Sequence, residues 1–184
     1  MSVIVVIKKN GKTVIGCDSK FSEENLISPS NEKTNWDKLH KTKHSFIGHV
    51  GESAYHTVLD YATQNHSNIF NFEDRMSTFK SMLKLQEVLV DECMLKPTQD
   101  EFLSSGLNLL VATANSIFTI DTNRGVDEYE RFWAIGSGSK VALGAIEVLY
   151  DKEDDPKDIA AQALKAACKY DLHCNETYHI ETIH

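Results

Sequence analysis

Five consecutive β-branched residues, Val3-Ile4-Val5-Val6-Ile7, are followed across Asn10-Gly11 by a second run, Thr13-Val14-Ile15-Gly16-Cys17. Asn-Gly between two such runs is a hairpin signal, because both central residues of the tightest hairpin turn need positive φ. A half-wet strand alternates apolar and polar residues. This first strand is apolar on both faces and has to be covered from both sides. A layered α/β arrangement follows.

The rest of the chain supplies the layers. Residues 19–35 are polar with Pro29 and read as a loop or irregular edge, and 38–50 read as a second hairpin ending in Ser45-Phe46-Ile47-Gly48-His49-Val50. From Ser53 the period changes: Ala54, Val58, Leu59 and Ala62 recur at helical spacing. Met76, Phe79, Met82, Leu83, Leu85, Leu89 and Cys93 mark a second, longer helix, ended around Pro97. Strands fit 108–114, 116–121 and 130–135, the last just before Gly136-Ser137-Gly138-Ser139, and a helix fits 141–150. Asp155 sets an N-cap with Pro156 at the first helical position, and Ile159, Ala160, Ala163, Ala167 and Tyr170 give that helix a small-residue face. A last strand fits 177–182. Because this order does not alternate βαβα, the expectation is stacked antiparallel sheets between helical layers.

Composition narrows the function classes. At 184 residues, with three prolines and nine glycines, the chain suits one domain without linkers. A formal charge of −8 argues against a nucleic-acid partner, since phosphate binding draws on clustered Lys and Arg. There is no apolar run of the roughly 18 residues a membrane span needs, and the opening residues lack the pattern of a signal peptide, so the expected location is the cytosol. Cys17, Cys93, Cys168 and Cys174 form no C-x-x-C pair and read as reduced thiols. Eight histidines include no H-E-x-x-H, and His40 with His44 lies in a Lys-rich turn, so no metal is expected. Gly136-Ser137-Gly138 lacks the third glycine of a dinucleotide loop, where Val141 stands instead. No cofactor is expected.

Taken together, the stretch from Ser2 to Asp18 resembles the start of proteasome β subunits and of the related bacterial ATP-dependent ring protease, which begin with a catalytic Thr. Counted from that residue, Gly11 and Asp18 fall at the family's spacing. The similarity continues in Ile47-Gly48-His49-Val50-Gly51, after a short insertion, in Ala134-Ile135-Gly136-Ser137-Gly138, and in the turn from Asp171 to Cys174. The resemblance implies the N-terminal-nucleophile hydrolase fold, a four-layer αββα sandwich of α+β class.

It also implies a mechanism. A hydroxyl needs a base to take its proton, and in this family the base is the α-amine of the same residue, whose ordinary pKa of about 7.7 to 8.0 suits it to give and take protons near neutrality. Ser2 would be that residue once Met1 is removed. Lys38 resembles the family's buried lysine, which stabilises the alkoxide and lowers the amine's pKa, with Lys33 as its rival. Asp18 would be the lysine's counter-ion; otherwise it simply ends a strand. Gly51 would give its N–H to the oxyanion. Ser137, Asp171 and Cys174 correspond to groups that hydrogen-bond the amine, and Cys174 departs from the hydroxyl often found there. His49 and Glu52 flank Gly51 where relatives carry apolar or small residues.

The implied activity is that of an endopeptidase in a homo-oligomeric ring, acting on unfolded polypeptide beside an ATP-dependent unfoldase. A ring-forming subunit that no longer cuts, serving as scaffold or binding partner, and a lone amidase of the same fold are the alternatives.

Overall fold

The computed structural model describes residues 2–23, 26–95, 104–175 and 177–184. Strands β1 (Val3–Lys9) and β2 (Lys12–Asp18) form the expected hairpin, with Asn10 and Gly11 at φ 52° and 72°. They are the two central strands of a four-stranded antiparallel sheet, flanked by β10 (Phe132–Gly136) beside β1 and β11 (Tyr178–Ile183) beside β2. A second antiparallel sheet runs in chain order through β5 (Leu39–Lys41), β6 (Ser45–His49), β7 (Leu109–Thr113), β8 (Ile117–Ile120) and β9 (Val126–Tyr129).

The alternation of β1 distributes its side chains between two cores. Ile4 and Val6 point between the sheets, where they join Ile15, Cys17, Leu110, Ala112 and Ile117. Val3, Val5 and Ile7 point the other way, onto α3 (Ser139–Leu149) and α4 (Pro156–Tyr170), meeting Ala142, Ile146, Ile159, Ala163 and Leu164. The outer face of the second sheet, Ile47, Leu109, Val111 and Phe118, is covered by α1 (Ala54–Asn65) and α2 (Arg75–Asp91) through Leu59, Met82, Leu85 and Leu89. The result is four layers, helix, sheet, sheet, helix. Each fully buried Val or Ile of β1 contributes on the order of 1.5–3 kcal/mol, so a charge at Val5 would break the first sheet from its helices.

Helix starts follow local chemistry. The Asp74 carboxylate accepts from Ser77 N–H at 2.7 Å to open α2, and Asp155 accepts from Lys157 N–H at 3.0 Å to open α4, with Pro156 at its first turn. Helix α4 stops at Asp171, whose N–H still donates to Ala167 O.

Five details differ from the sequence reading. The segment expected to be irregular contains a two-stranded ribbon, β3 (Phe21–Glu23) with β4 (Leu26–Ser28), and a 3-10 turn at Ser30–Glu32. Strand β9 was not expected, because Asp127 and Glu128 interrupt its apolar residues; as an edge strand it turns both to solvent. Helix α3 begins at Ser139, two residues early, and α2 ends at Asp91, before Cys93. Met76 and Leu83 lie on the solvent side of α2 and not on its packing face. Pro97 lies outside the described residues.

Candidate active site

Ser2 directly precedes β1 and is buried at the end of that central strand. Register explains its depth: Val3 pairs with Gly136, so the Ser2 carbonyl lies against the end of β10. Gly136 has φ 96°, and a Cβ there would stand 2.1 Å from Ser2 O. Only glycine permits this approach.

Asp18 is the last residue of β2, beside the start of β1, and is completely buried. Its Oδ1 accepts from Val3 N–H at 2.9 Å and its Oδ2 from Lys20 N–H at 2.9 Å. Lys38 stands just before β5 with its side chain 1% exposed. Its Nζ donates to Ser2 Oγ at 2.7 Å, to Asp18 Oδ1 at 2.9 Å and to Lys20 O at 2.8 Å. An ammonium has three hydrogens, and these three acceptors take all of them. Such a group can stabilise negative charge on Oγ, but in this state it has no lone pair with which to take the hydroxyl proton. Lys33 is placed elsewhere, with its Nζ 3.5 Å from the centre of the Phe21 ring. Partial burial and then the neighbouring Lys38 charge lower its pKa.

On the other side of Ser2, Gly138 N–H and Ser137 Oγ both approach Ser2 O, at 3.3 and 3.4 Å. The Ser137 hydroxyl also donates to Asp171 Oδ1 at 3.2 Å, and that oxygen accepts from His173 N–H at 2.7 Å. Ser2, Asp18, Lys38, Ser137 and Asp171 thus belong to one connected network. Cys174 reaches it through its backbone and by packing: its N–H donates to Asp171 O at 3.3 Å, and its Sγ lies 3.1 Å from where a Cβ on Gly138 would be. Its thiol is a core group, pushed well above its ordinary pKa by a hydrogen bond with Cys168 and by burial. Gly51 lies in the turn between β6 and α1 at φ 141°. That turn is tied to the lysine, because His49 N–H, two residues before Gly51, donates to Lys38 O at 3.2 Å.

Sequence reasoning missed two parts of this neighbourhood, apart from His49, which it placed beside Gly51. The Lys20 carbonyl is backbone, and no side-chain pattern marks it. The other part is a group of imidazoles beneath Gly51: His40, His49 and His56, all buried, with Asp60 at their outer end. A signal existed. Lys38 and His40 are two apart at a strand, hence on one face, and His56 and Asp60 are four apart on one helix. Burial, the neighbouring His40 and the positive chain terminus lower the His49 pKa to about 3. Burial, His49, His40 and Lys38 lower that of His56 to about 3. Among the described residues, no three His, Cys, Asp or Glu side chains are arranged to hold a metal ion. A cleft of about 630 Å³ lined by Thr42, Phe70, Asn115 and His184, among others, shares no residue with the Ser2 network.

Comparison with known proteins places this geometry in context. The family model described as Proteasome subunit matches residues 2–183. A proteasome subunit beta of Methanosphaerula palustris is 35% identical over 75 residues, 39% of this chain and 36% of that protein. One from Methanoculleus marisnigri is 39% identical over 59 residues, 30% of this chain and 28% of that protein. These matched stretches span about a third of the relatives' length. Among solved structures, Thiobacillus denitrificans BPH superposes with a TM-score of 0.88 at 20% identity, covering 98% of this chain and 97% of its own. A structure of the same protein in complex with epoxomicin gives the same values. HslV from Trypanosoma brucei superposes with a TM-score of 0.72 at 21% identity over 99% of both chains. At these identities the likeness is one of fold.

Proposed function

Because the chain belongs to the proteasome subunit family, we propose that it is an endopeptidase of a proteasome-type ring, with Ser2 as nucleophile after loss of Met1. The observation that carries the proposal is the contact of Lys38 Nζ with Ser2 Oγ at 2.7 Å, made by an ammonium whose other two hydrogens are held by Asp18 and Lys20 O. A buried cation beside the hydroxyl favours its ionised form. The proton must go to a group other than this ammonium, and a free Ser2 α-amine is such a group.

In this reading Ser2 Oγ attacks the substrate carbonyl while the amine takes the hydroxyl proton. The tetrahedral oxyanion is met by the Gly51 N–H, and the amine then returns the proton to the leaving nitrogen. The resulting ester is hydrolysed by water, with the amine again as base. Ser137 and Asp171 hold the backbone around Ser2 and steady the amine. Cys174, buried and protonated, fills space under Gly138. Assembly into a homo-oligomeric ring would enclose the site, so that only unfolded chains reach it, supplied by an ATP-dependent unfoldase.

The test is the intact mass of protein made with an untagged N-terminus, combined with hydrolysis of fluorogenic peptides by wild type and Ser2→Ala. Loss of one methionine together with hydrolysis abolished by Ser2→Ala, and blocked by epoxomicin in the wild type, supports the proposal. Retention of Met1 in nearly every chain, or hydrolysis that survives Ser2→Ala, overturns it. Sedimentation velocity reports the ring separately, and a ring with Met1 retained would favour the non-cutting scaffold.

A further inference from the structure

The inner face of β11 carries ionisable groups where the strand beside it is apolar. His179 stands opposite Cys17 and Glu181 opposite Ile15, and both of those partners point between the sheets. Residues paired across a ladder share a face, so His179 and Glu181 point inward as well, with Ile183 beyond them in the core between the sheets. A sandwich closed by burial alone would place apolar residues there. His179 Nε2 and Glu181 Oε1 lie 2.8 Å apart. His179 Nδ1 lies 2.7 Å from Asp37 Oδ2, a close ion pair and not a directed hydrogen bond. A lone pair on either ring nitrogen would face a carboxylate, so the position suits the positive, doubly protonated ring.

Asp37 passes this hold to Lys38. Its Oδ1 accepts from Leu39 N–H at 3.0 Å, closing an Asx turn around Lys38, and the buried Cys17 thiol donates to the same oxygen at 3.8 Å. Trp36 sets its ring edge-on to His179, with centres 5.9 Å apart. Residues 33–38 belong to no strand or helix. Side chains of β11 and β2 thus fix the backbone just before Lys38, while His49 N–H holds the Lys38 carbonyl. The aim is exacting, because one ammonium has to meet three acceptors at 2.7 to 2.9 Å. A shift of about 1 Å would break that set.

We infer that His179 is a positioning residue for the Ser2 site: held between Glu181 and Asp37, it fixes the turn that aims Lys38 at Ser2 Oγ. This deepens the peptidase reading and rests on it. The ion pairs of His179 go to Asp37 and Glu181, so its effect on Ser2 passes through Asp37. What it governs is the stabilisation of charge on Oγ, which develops in the transition state, and not the binding of the peptide. Inward-pointing charges on an edge strand also discourage pairing with another chain. That role alone would leave the chemistry at Ser2 untouched.

The experiment is a double-mutant cycle on peptide hydrolysis with His179→Gln, Asp37→Asn and the two combined. Asp37→Asn keeps an oxygen for Leu39 N–H and removes only the charge that His179 holds. Each single variant should lower kcat by about tenfold with KM unchanged, the pattern of an interaction made only in the transition state. The double variant should be no slower than the slower single one, because both changes cut the same link. Losses that multiply in the double variant, a kcat unmoved by either change, or a loss confined to KM overturns the inference. If no peptide is cleaved, the proposed function falls, and a readout without turnover decides the inference: ¹⁵N NMR of the Lys38 ammonium in the full-length chain. A Lys38 resonance that moves in both single variants while the β1 and β2 amides stay in place supports it. A Lys38 resonance unmoved in either variant, or one that moves only together with those amides, overturns it.

Discussion

Lys38 and Asp18 meet at 2.9 Å with their side chains 1% and 0% exposed. Two charges withdrawn so far from water are tolerable only together, because each would otherwise lie unpaired in a low-dielectric interior. Asp18→Asn leaves the ammonium uncompensated and should destabilise the fold by roughly 3–5 kcal/mol. Urea unfolding of the single variant measures this. Lys38→Met combined with Asp18→Leu should cost less than the sum of the two single variants. A loss below about 1 kcal/mol for Asp18→Asn would mean that water reaches the pair.

The same ammonium should be irreplaceable for catalysis. Lys38→Met is expected to lower peptide hydrolysis at least about a hundredfold, the scale seen when one preorganised donor to a developing charge is removed. Lys38→Arg should not rescue it, since a planar guanidinium cannot direct hydrogens to Ser2 Oγ, Asp18 and Lys20 O from one nitrogen. Lys33→Ala, which removes the cation above Phe21, should keep most of the activity. Steady-state kinetics on one peptide compares all three.

Gly136→Ala should fail sterically at the site. Its Cβ would fall 2.1 Å from Ser2 O, against backbone that has no rotamer with which to yield, at a φ of 96°. Hydrolysis should fall to near background, while the far-UV CD spectrum stays that of the wild type if only the Ser2 end is displaced. A fully active Gly136→Ala would show that the Ser2 carbonyl does not need this approach.

Acid should unfold the protein partly through its imidazoles. Burial, with neighbouring positive groups, lowers the folded pKa of His49 and His56 to about 3. An unfolded histidine titrates near 6.5, so between these values the unfolded state binds more protons, and stability falls as pH falls through that window. At pH 5 each imidazole should have lost roughly 2 kcal/mol of stabilisation relative to pH above 7. Urea midpoints at pH 7.5 and 5.0 test this: the drop should be smaller in His49→Leu, and an identical drop in wild type and variant would remove His49 from the account.

How much of this was legible in the sequence varied with the kind of force involved. The first hairpin was readable because Val3 to Ile7 are apolar on both faces and Asn10-Gly11 accepts positive φ. The N-cap of α4 was equally local, one carboxylate next to a proline. By contrast, β9 was hidden because an edge strand exposes Asp127 and Glu128, and residues 19–35 conceal a ribbon too short to show a period. Lys38 was preferred to Lys33 because an apolar residue, Leu39, follows it and a strand begins there, a local hint that carries no distance to Ser2.

Covalent order and side-chain periodicity by themselves determined that this chain builds two sheets between helices, because burial of alternating apolar faces is a property of neighbours along the chain. Only the tertiary structure decided which lysine reaches Ser2, that Lys20 lends a carbonyl to it, and that His40, dismissed with His44 as a turn residue, is buried in line with His56 and Asp60. Those relations join residues far apart in sequence through electrostatics and hydrogen bonds, whose strength depends on distance and exclusion of water. No spacing rule carries either quantity until the layers have closed.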